Sequence, residues 1–594
     1  MQDEKLEIMR HSAAHVLAAA VQELWPEAKF GIGPVIDNGF YYDIKTEQPV
    51  KEEDLEKIEV KMQGIIARGD TFDREEMSID EAIKLFEGLN QEFKVELLRD
   101  LKEKGTTKIS DEEAQDLGNK DDVASVYRTG KFVDLCRGPH VESTKEIRVV
   151  KLIKVAGAYW RGDEKNQMLT RIYGVAFDNR KDLKVYLHNL EEAKKRDHRK
   201  IGKEQGLFIL DPEVGLGLPI WLPKGALIWR VIEEFWYKEH LKRDYDLVRS
   251  PHIGNIDLWD TSGHTQFYKD DMYQPIEVDD EKYMLKPMNC PFHVKLYKSS
   301  PHSYRELPIR WAECATVYRY EKSGQLSGLS RVRGFTQDDA HIVCRKDQVK
   351  EELSKVVEFI KEYFSAFGLN EYKVYLSLRD PDNKDKYAGD DAGWEFTQGV
   401  LKEIAEESGM EYETEEGEAA FYGPKLDFKV KDALGREWQC PTLQFDFNLP
   451  ERFDMTYVNE KGEEERPYML HRTIMGSFER FMAVLIEHYA GAWPMWLAPV
   501  QLRLISVGEG HIEFANQLAT ELSDADVRVE VDASDETVGN KIRKSAKDKI
   551  PWTIVLGDKE VSGEPFKIRV FGQEEELVLK RDELAGKIKE QEVI

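Results

Sequence analysis

The sequence reads as a multidomain α+β protein on three grounds. Its 594 residues exceed what one hydrophobic core supports, about 250–300 residues, so about three or four domains are expected. Helical and strand-like periodicities alternate along the chain, with no internal repeat and no low-complexity segment. From Pro499 onward the order becomes β-α-β-α-β, the pattern of a compact α/β module.

Taken in order, residues 1–185 form the first domain. They include a Gly/Pro-punctuated strand pair, Gly31-Ile-Gly-Pro-Val-Ile then Gly39-Phe-Tyr-Tyr, and end some way after Gly157-Ala-Tyr-Trp-Arg-Gly-Asp163. Residues 186–205 turn helical and highly charged, as a basic connector between domains would. Residues 206–498 mix amphipathic helices with β-branched and aromatic strands. One helix there, Trp229 to Leu241, runs into Tyr245-Asp-Leu-Val-Arg-Ser-Pro251. Residues 499–594 supply Leu502-Arg-Leu-Ile-Ser-Val, Val527-Arg-Val-Glu-Val and Trp552-Thr-Ile-Val-Leu as strands, with a helix in each gap.

Composition narrows the function classes. Hydrophobic residues at 41% and charged residues at 33% suit a soluble globular chain rather than a disordered or collagenous one. No apolar run reaches the ~18 residues of a membrane span, and the N-terminus lacks the apolar core of a signal peptide. Five scattered cysteines point to a reduced, cytoplasmic setting. The net charge of −28 argues against indiscriminate nucleic-acid binding. A local basic run (Lys194, Lys195, Arg196, Arg199, Lys200 and Lys203) fits either a solvated helix face or an RNA contact.

The densest chemistry lies between Arg331 and His341, Arg-Val-Arg-Gly-Phe-Thr-Gln-Asp-Asp-Ala-His. Guanidinium forks suit phosphate oxygens, a carboxylate suits an ammonium, and His is a common zinc ligand. The stretch therefore reads as part of a site for an anionic cofactor beside a small cationic substrate. Upstream, Arg310 to Glu321 reads as a strand, followed by a Gly/Ser-rich loop and a returning strand. Arg319 and Glu321 at its end could meet an α-phosphate and an adenine amino group, or form a surface salt bridge. Downstream, Tyr468-Met-Leu-His471-Arg leads to Gly476-Ser-Phe-Glu-Arg480-Phe. Phe478, Phe481, Met482, Leu485 and Ile486 mark one buried helix face, which leaves Arg480 near the helix start, where phosphates are favoured.

These blocks, in chain order, resemble motifs 1, 2 and 3 of class II aminoacyl-tRNA synthetases. With Lys286-Pro-Met-Asn-Cys290-Pro, the run Arg333 to His341 and Tyr468-Met-Leu-His471-Arg, the sequence resembles the threonyl-tRNA synthetase family from about residue 6 to about residue 590. The resemblance implies an antiparallel class II sheet flanked by helices, an N-terminal α+β editing domain and a C-terminal α/β anticodon-binding domain. It implies the substrates ATP with Mg²⁺, L-threonine and tRNA(Thr), a homodimer through the catalytic domain, and no membrane.

The same resemblance implies one zinc per subunit on Cys290, His341 and His471. Their spacing alone carries no zinc signature, and without the resemblance a buried thiol with two core histidines is the favoured reading. Three N/S ligands leave an open position on zinc, which the family fills with the amino and hydroxyl groups of threonine. Valine, lacking the hydroxyl, would leave polar groups unpaired, a defect that can discriminate by about 10⁴ or more. Serine lacks only a methyl, a difference of roughly 1–3 kcal/mol, and should leak through. By resemblance, Asp339 meets the substrate ammonium, with Met288, Gln337, Tyr422 and Gln444 in the same pocket. Arg319, Glu321, Arg331, Gln439 and Arg480 match ATP-site positions; Arg319, Arg480 and Lys425 match catalytic ones. Catalysis is then mainly positioning and charge neutralisation.

Serine leakage predicts a second, editing site. His11-Ser-Ala-Ala-His15 puts two imidazoles on one helix face, and Asp134-Leu-Cys136-Arg-Gly-Pro-His140 adds a carboxylate, a thiol and a third imidazole. The pattern is shared by threonyl and alanyl editing domains. Ligand chemistry alone favours zinc here; the resemblance points to metal-free hydrolysis of Ser-tRNA, with water held by His11, Lys94 and His15. In the tail, Arg543, Glu560 and Arg569 match anticodon readers, while Asp535 stands where an asparagine is common. The family usually begins with a small ubiquitin-like domain, and this sequence starts almost at the His-x₃-His helix. Another class IIa synthetase, a zinc hydrolase or a synthetase-like regulator would each be expected to lack part of this combined set.

Overall fold

The computed structural model describes residues 2–105, 123–163, 165–432 and 436–591. The chain divides into two compact units, Met1–Glu191 and Glu192–Ile594.

The first unit is built on helix α1 (Gln2–Leu24). Ala13, Ala14, Leu17, Ala18, Ala20 and Val21 are all buried, and the small alanines let sheet and helix close on most of its circumference. Its sheet is antiparallel: Lys29–Phe30, then β1 (Gly39–Lys45), then Met168–Phe177 and Val149–Tyr159, with Val35–Ile36 also on β1. The sequence-predicted strand pair is there in shortened form, with Val35 opposite Phe40 and Ile36 opposite Gly39. Helix α2 (Leu55–Arg68) packs on α1. A second antiparallel sheet joins β2 (Asp73–Ser78), β3 (Val123–Thr129) and β4 (Phe132–Leu135), covered by α3 (Ile79–Gly88) and α4 (Glu92–Lys104).

The charged run folds as two helices, α5 (Arg180–Arg196) and α6 (His198–Gln205). Asp197 separates them, its carboxylate accepting from the Arg199 amide as an N-cap. Of the basic residues singled out above, Arg196 is half-buried and donates to the carbonyl of His488, while Lys194, Lys195, Arg199, Lys200 and Lys203 are exposed.

The second unit centres on an eight-stranded sheet. Its order is Asp246–Leu247, β5 (Ile309–Tyr318), β6 (Gly334–Cys344), β10 (Tyr468–Ser477), β9 (Glu437–Asp446), β8 (Lys425–Lys431), β7 (Tyr372–Leu378), Tyr412–Glu416. All neighbours are antiparallel except the two outermost pairs. Helices α7 (Pro223–Leu241), α8 (Val349–Ala366) and α9 (Asp391–Glu407) flank it. Helix α10 (Phe478–His488) is buried well beyond the one face read from the sequence, with Ala483, Val484 and Glu487 inside as well. It runs between the sheet and α6, so no side of its middle turns meets water. Asp338 fixes the turn before it, taking the amides of Ile474, Met475 and Gly476 at 2.7, 3.0 and 3.0 Å.

The C-terminal module pairs Leu502–Ser506, Val529–Asp532 and Trp552–Leu556 in parallel, as the sequence pattern requires. Two further antiparallel strands, Phe566–Val570 and Glu576–Leu579, extend that sheet. In the first of them Phe566, Ile568 and Val570 alternate with exposed Lys567 and Arg569, a period-two pattern that the β-α-β-α-β reading did not include.

Candidate active sites

The register of β6 and β10 sets His341 directly opposite His471, and β9 sets Gln444 opposite His471 on the other side. Cys290 opens the helix Cys290–Tyr297. All three donors are buried, and one ligand atom from each lies within 4.8 Å of the others.

Carboxylates at either end fix the protons. Asp446 Oδ2 lies 2.8 Å from His471 Nε2, so that nitrogen donates and Nδ1 keeps its lone pair. On the other side, His293 Nε2 faces Glu313 at 3.1 Å, and His293 Nδ1 lies 2.8 Å from His341 Nδ1. With neutral rings, His293 donates to the carboxylate and accepts from His341 Nδ1–H, which leaves a lone pair on His341 Nε2. That lone pair faces His471 Nδ1 at 3.0 Å. Two lone pairs so close repel unless a cation lies between them. Burial holds His341 well below its ordinary pKa, which keeps the ring neutral, and holds the Cys290 thiol well above its own. A bound cation is what would convert that thiol to a thiolate. Two nitrogens and one sulfur fit zinc with an open position.

Beside this set lies a cavity of about 350 Å³. Met288, Arg319, Glu321, Arg331, Gln337, Lys425, Gln439, Gln444 and Arg480, all singled out from the sequence, line it. Asp339 and Tyr422 sit deeper. Asp339 accepts from Asn289 Nδ2 at 2.9 Å, and Tyr422 donates to Gln444 and stacks on His471 with centroids 5.1 Å apart. Arg319 lies over the Phe335 ring at 5.0 Å, and its Nη2 meets the Met288 sulfur at 3.3 Å. Arg480 donates to the carbonyls of Ser330 (3.1 Å) and Gln439 (3.0 Å). Glu321 pairs with Arg331 at 2.7 Å and not with Arg319, so the Arg319–Glu321 salt bridge considered above is not among the ion pairs of the described residues.

Buried polar atoms without a protein partner mark the places a ligand would satisfy. Arg319 Nε, Gln337 Oε1, Asn289 Oδ1 and Ser330 Oγ are in this state. So is His264 Nε2. Ser262 spends its proton on the Trp259 carbonyl (3.1 Å), so it accepts from His264 Nδ1 (2.7 Å) and leaves Nε2 as a proton acceptor. Burial lowers His264 to about 3. Sequence reasoning missed His264, His293, Asp427 and Asp446. Asp427 holds Lys425, Gln439 (2.8 Å) and Thr442 (2.9 Å) on one carboxylate. His293 could have been found, since it follows Cys290 by three residues on one helix; the others carried no local signal.

In the first unit, α1 brings His11 and His15 to a ring separation of 5.3 Å, and His140 lies 4.3 and 4.2 Å from them. Cys136 Sγ is 3.2 Å from His11 Nε2 and 3.4 Å from His140 Nε2. Here too the protons can be placed. His11 Nδ1 donates to the Pro139 carbonyl at 3.3 Å. Ser12 donates to the Ile8 carbonyl (2.8 Å) and so accepts from His140 Nδ1 (3.1 Å). His15 Nε2 faces Asp134 at 3.4 Å, and its Nδ1 is buried and unpartnered. Burial lowers His11, His15 and His140 and pushes the Cys136 thiol up to about 12. Three lone pairs and a thiol thus converge, with one ligand atom from each residue within 4.8 Å of the rest.

Lys94 is buried too, and two of its three N–H donors have partners in Asp134 (2.5 Å) and Tyr42 (3.2 Å). Tyr42, missed by the sequence reading, also donates to Asp134 at 2.5 Å. Gly138, at φ +75°, lets the Cys136–His140 turn pass Tyr127: a Cβ there would lie 2.2 Å from the phenol oxygen. In the tail, Arg543 and Arg569 are exposed, Arg543 meeting Asn540 (3.3 Å) and Arg569 meeting Glu576 (3.3 Å). Glu560 accepts from the Gly557 amide at 3.0 Å and so doubles as a helix cap.

Known proteins match both units. The tRNA synthetase class II core domain (G, H, P, S and T) matches residues 273–489, an anticodon binding domain matches 501–591, and the threonyl and alanyl tRNA synthetase second additional domain matches 124–173. The threonine–tRNA ligase of Sulfurihydrogenibium sp. (strain YO3AOP1) is 50% identical over 590 residues, 99% of this chain and 89% of the relative. That of Dehalococcoides mccartyi (strain CBDB1) is 52% identical over 564 residues, 95% and 93% of the two chains. Among solved structures, the RNA binding domain of threonyl-tRNA synthetase from Cryptosporidium parvum Iowa II aligns with a TM-score of 0.63 at 36% identity, covering 67% of this chain and 98% of its own.

Proposed function

The chain belongs to the threonine–tRNA ligase family, and from that premise we propose how its residues divide the work. It is an aminoacyl-tRNA synthetase that activates threonine with ATP and transfers it to tRNA, and it carries the domain associated with editing. Enzymes of this kind use ATP with Mg²⁺. Domain limits follow the sequence reading: editing 1–185, connector 186–205, catalytic 206–498, anticodon-binding 499–594.

Cys290, His341 and His471 hold one zinc per subunit, and the 3.0 Å approach of His341 Nε2 to His471 Nδ1 beside the buried Cys290 is the observation that carries this assignment. When bound, the ion offers an open position to the amino and hydroxyl groups of threonine. Asp339 faces the amino group, and Met288, Gln337, Tyr422 and Gln444 shape the rest of the pocket. In the first step the threonine carboxylate attacks the α-phosphate of ATP and pyrophosphate leaves. Arg319, whose buried Nε has no protein partner, and Arg480, at a helix start, neutralise the charge that develops there. Glu321 accepts from the adenine amino group when the nucleotide displaces its pairing with Arg331. Lys425 and Gln439 are held in place for the nucleotide by Asp427. A hydroxyl of the terminal adenosine of tRNA(Thr) then attacks the carbonyl of the threonyl-adenylate, the acyl–phosphate bond breaks and AMP leaves as the ester forms; the anticodon of that tRNA meets Arg543, Glu560 and Arg569.

Amino-acid-dependent ATP–pyrophosphate exchange tests this reading. Threonine should be activated best, serine about 10–200-fold less well, and valine lower by about 10⁴. Valine activity equal to that of threonine would remove the zinc argument, and no activity with any amino acid would remove the synthetase assignment of these residues.

In the first unit, His11, His15 and Lys94 position the water that cleaves mischarged Ser-tRNA, with Asp134, Cys136 and His140 completing the site. A second reading, a metal held by His11, His15, Cys136 and His140, is favoured by the convergence of their donor atoms. A homodimer through the catalytic domain is supported by exposed apolar residues Ile209, Leu210, Val214, Leu216 and Ile220, close together in sequence. Among the described residues no helix is long and apolar enough to cross a membrane; the cytoplasm is the compartment this reading assigns.

A further inference from the structure

His198 lies outside both sites and is buried at the start of α6. Its Nε2 is 3.0 Å from the amide nitrogen of Leu329, and its Nδ1 is 2.6 Å from Glu487 Oε1. An amide can only donate, so Nε2 accepts, and the single ring proton is committed to Glu487 through Nδ1. Glu487 also takes the His198 amide at 3.1 Å and the Arg436 guanidinium. Asp197, His198 and Glu487 are near enough to suggest a metal site. Both ring nitrogens are already used, so the cluster is a clamp and not a ligand set.

What it clamps is the loop between β5 and β6. Residues 322–324 and 327 of that loop are exposed, whereas Leu329 is fully buried in the main core. The next carbonyl, that of Ser330, takes Arg480 Nε at 3.1 Å, and the next side chain is Arg331. Gly328 permits the approach: at φ +51°, a Cβ there would lie 2.1 Å from His198 Nε2. The other end of α6 is tied down as well. Gln205 donates to the Gly491 carbonyl at 2.7 Å and accepts from Trp493 Nε1 at 3.0 Å.

We propose that His198 is a positioning residue for nucleotide binding, holding the Leu329 amide so that Arg331 and Arg480 face ATP. The proposal rests on the reading of Arg331 and Arg480 as ATP ligands. It gives α6 a role beyond that of connector: a strut with one end on the loop and the other on the segment after α10.

The test is ATP–pyrophosphate exchange with the full-length enzyme. H198F keeps a ring of similar shape beside Phe208 and deletes both hydrogen bonds. Leaving a buried amide unpaired should raise the KM for ATP roughly tenfold, with the KM for threonine changed by less than about twofold. H198Q can still accept from the Leu329 amide and should recover most of the loss. G328A, which pushes a methyl against the same nitrogen, should raise the ATP KM too and serves if H198F folds poorly. A lower melting temperature or active-site titre with an unchanged ATP KM would overturn the proposal, as would equal rises for ATP and threonine. R480A separates the two levels. If it also leaves the ATP KM unchanged, the ATP-site reading itself fails; if it abolishes exchange while H198F and G328A do nothing, only the positioning role fails.

Discussion

Replacing Cys290 with serine is expected to release the bound zinc and lower threonine-dependent ATP–pyrophosphate exchange by ~10³-fold or more, the scale on which a site fails when its main polar recognition is lost. The residue opens a helix and is buried, so the serine hydroxyl keeps the packing but is a poor ligand beside a thiolate. Asp446→Asn should act more mildly. It removes the carboxylate that fixes the His471 tautomer at 2.8 Å, a kind of change that costs about 10–100-fold in metal affinity or activity. Metal analysis of the purified variants, alongside the KM for threonine, checks both. Full zinc content and a normal threonine KM in C290S would show that the cysteine is packing and nothing more.

The second large effect concerns the first unit. His11→Ala is expected to lower deacylation of Ser-tRNA(Thr) by about 10²–10⁴-fold, the usual contribution of a placed acid–base group. Threonylation should stay within about twofold, because the cluster belongs to a compact unit with its own core. Exhaustive chelation, measured in parallel, separates the two readings of that cluster. Deacylation that persists without metal supports a water held by neutral imidazoles, which burial keeps below their ordinary pKa. Loss restored by zinc would replace that reading with a four-donor metal site. Unchanged deacylation in His11→Ala would remove the cluster from editing altogether.

Local pattern made much of this legible. The hairpin around Arg319 and Arg331, the helix start at Arg480 and the β-α-β-α-β tail are all short-range features, and periodicity reports them. The donor sets could not be read that way. His341 and His471 are 130 residues apart and meet because two strands pair in one register, which no local spacing encodes. The carboxylates that orient the site were hidden for a related reason. Asp427 and Asp446 sit on strands whose polar residues would ordinarily be taken as the solvated face, yet both are buried. Helix α10 could have been read as buried all round, since Phe481 to Ile486 is an unbroken apolar run and not a single stripe. His198 was hidden inside a charged run, where a single imidazole among lysines and arginines looks like more of the same.

The central claim is that threonine is recognised through a three-ligand zinc. X-ray absorption at the zinc edge, recorded on the full-length enzyme with and without threonine, addresses it most directly. The account predicts one sulfur at about 2.3 Å and two imidazole nitrogens at about 2.0–2.1 Å, with two light-atom ligands from the substrate appearing when threonine is added and not when valine is. A zinc shell that ignores threonine, or an enzyme that activates threonine at full rate with no zinc bound, would contradict it.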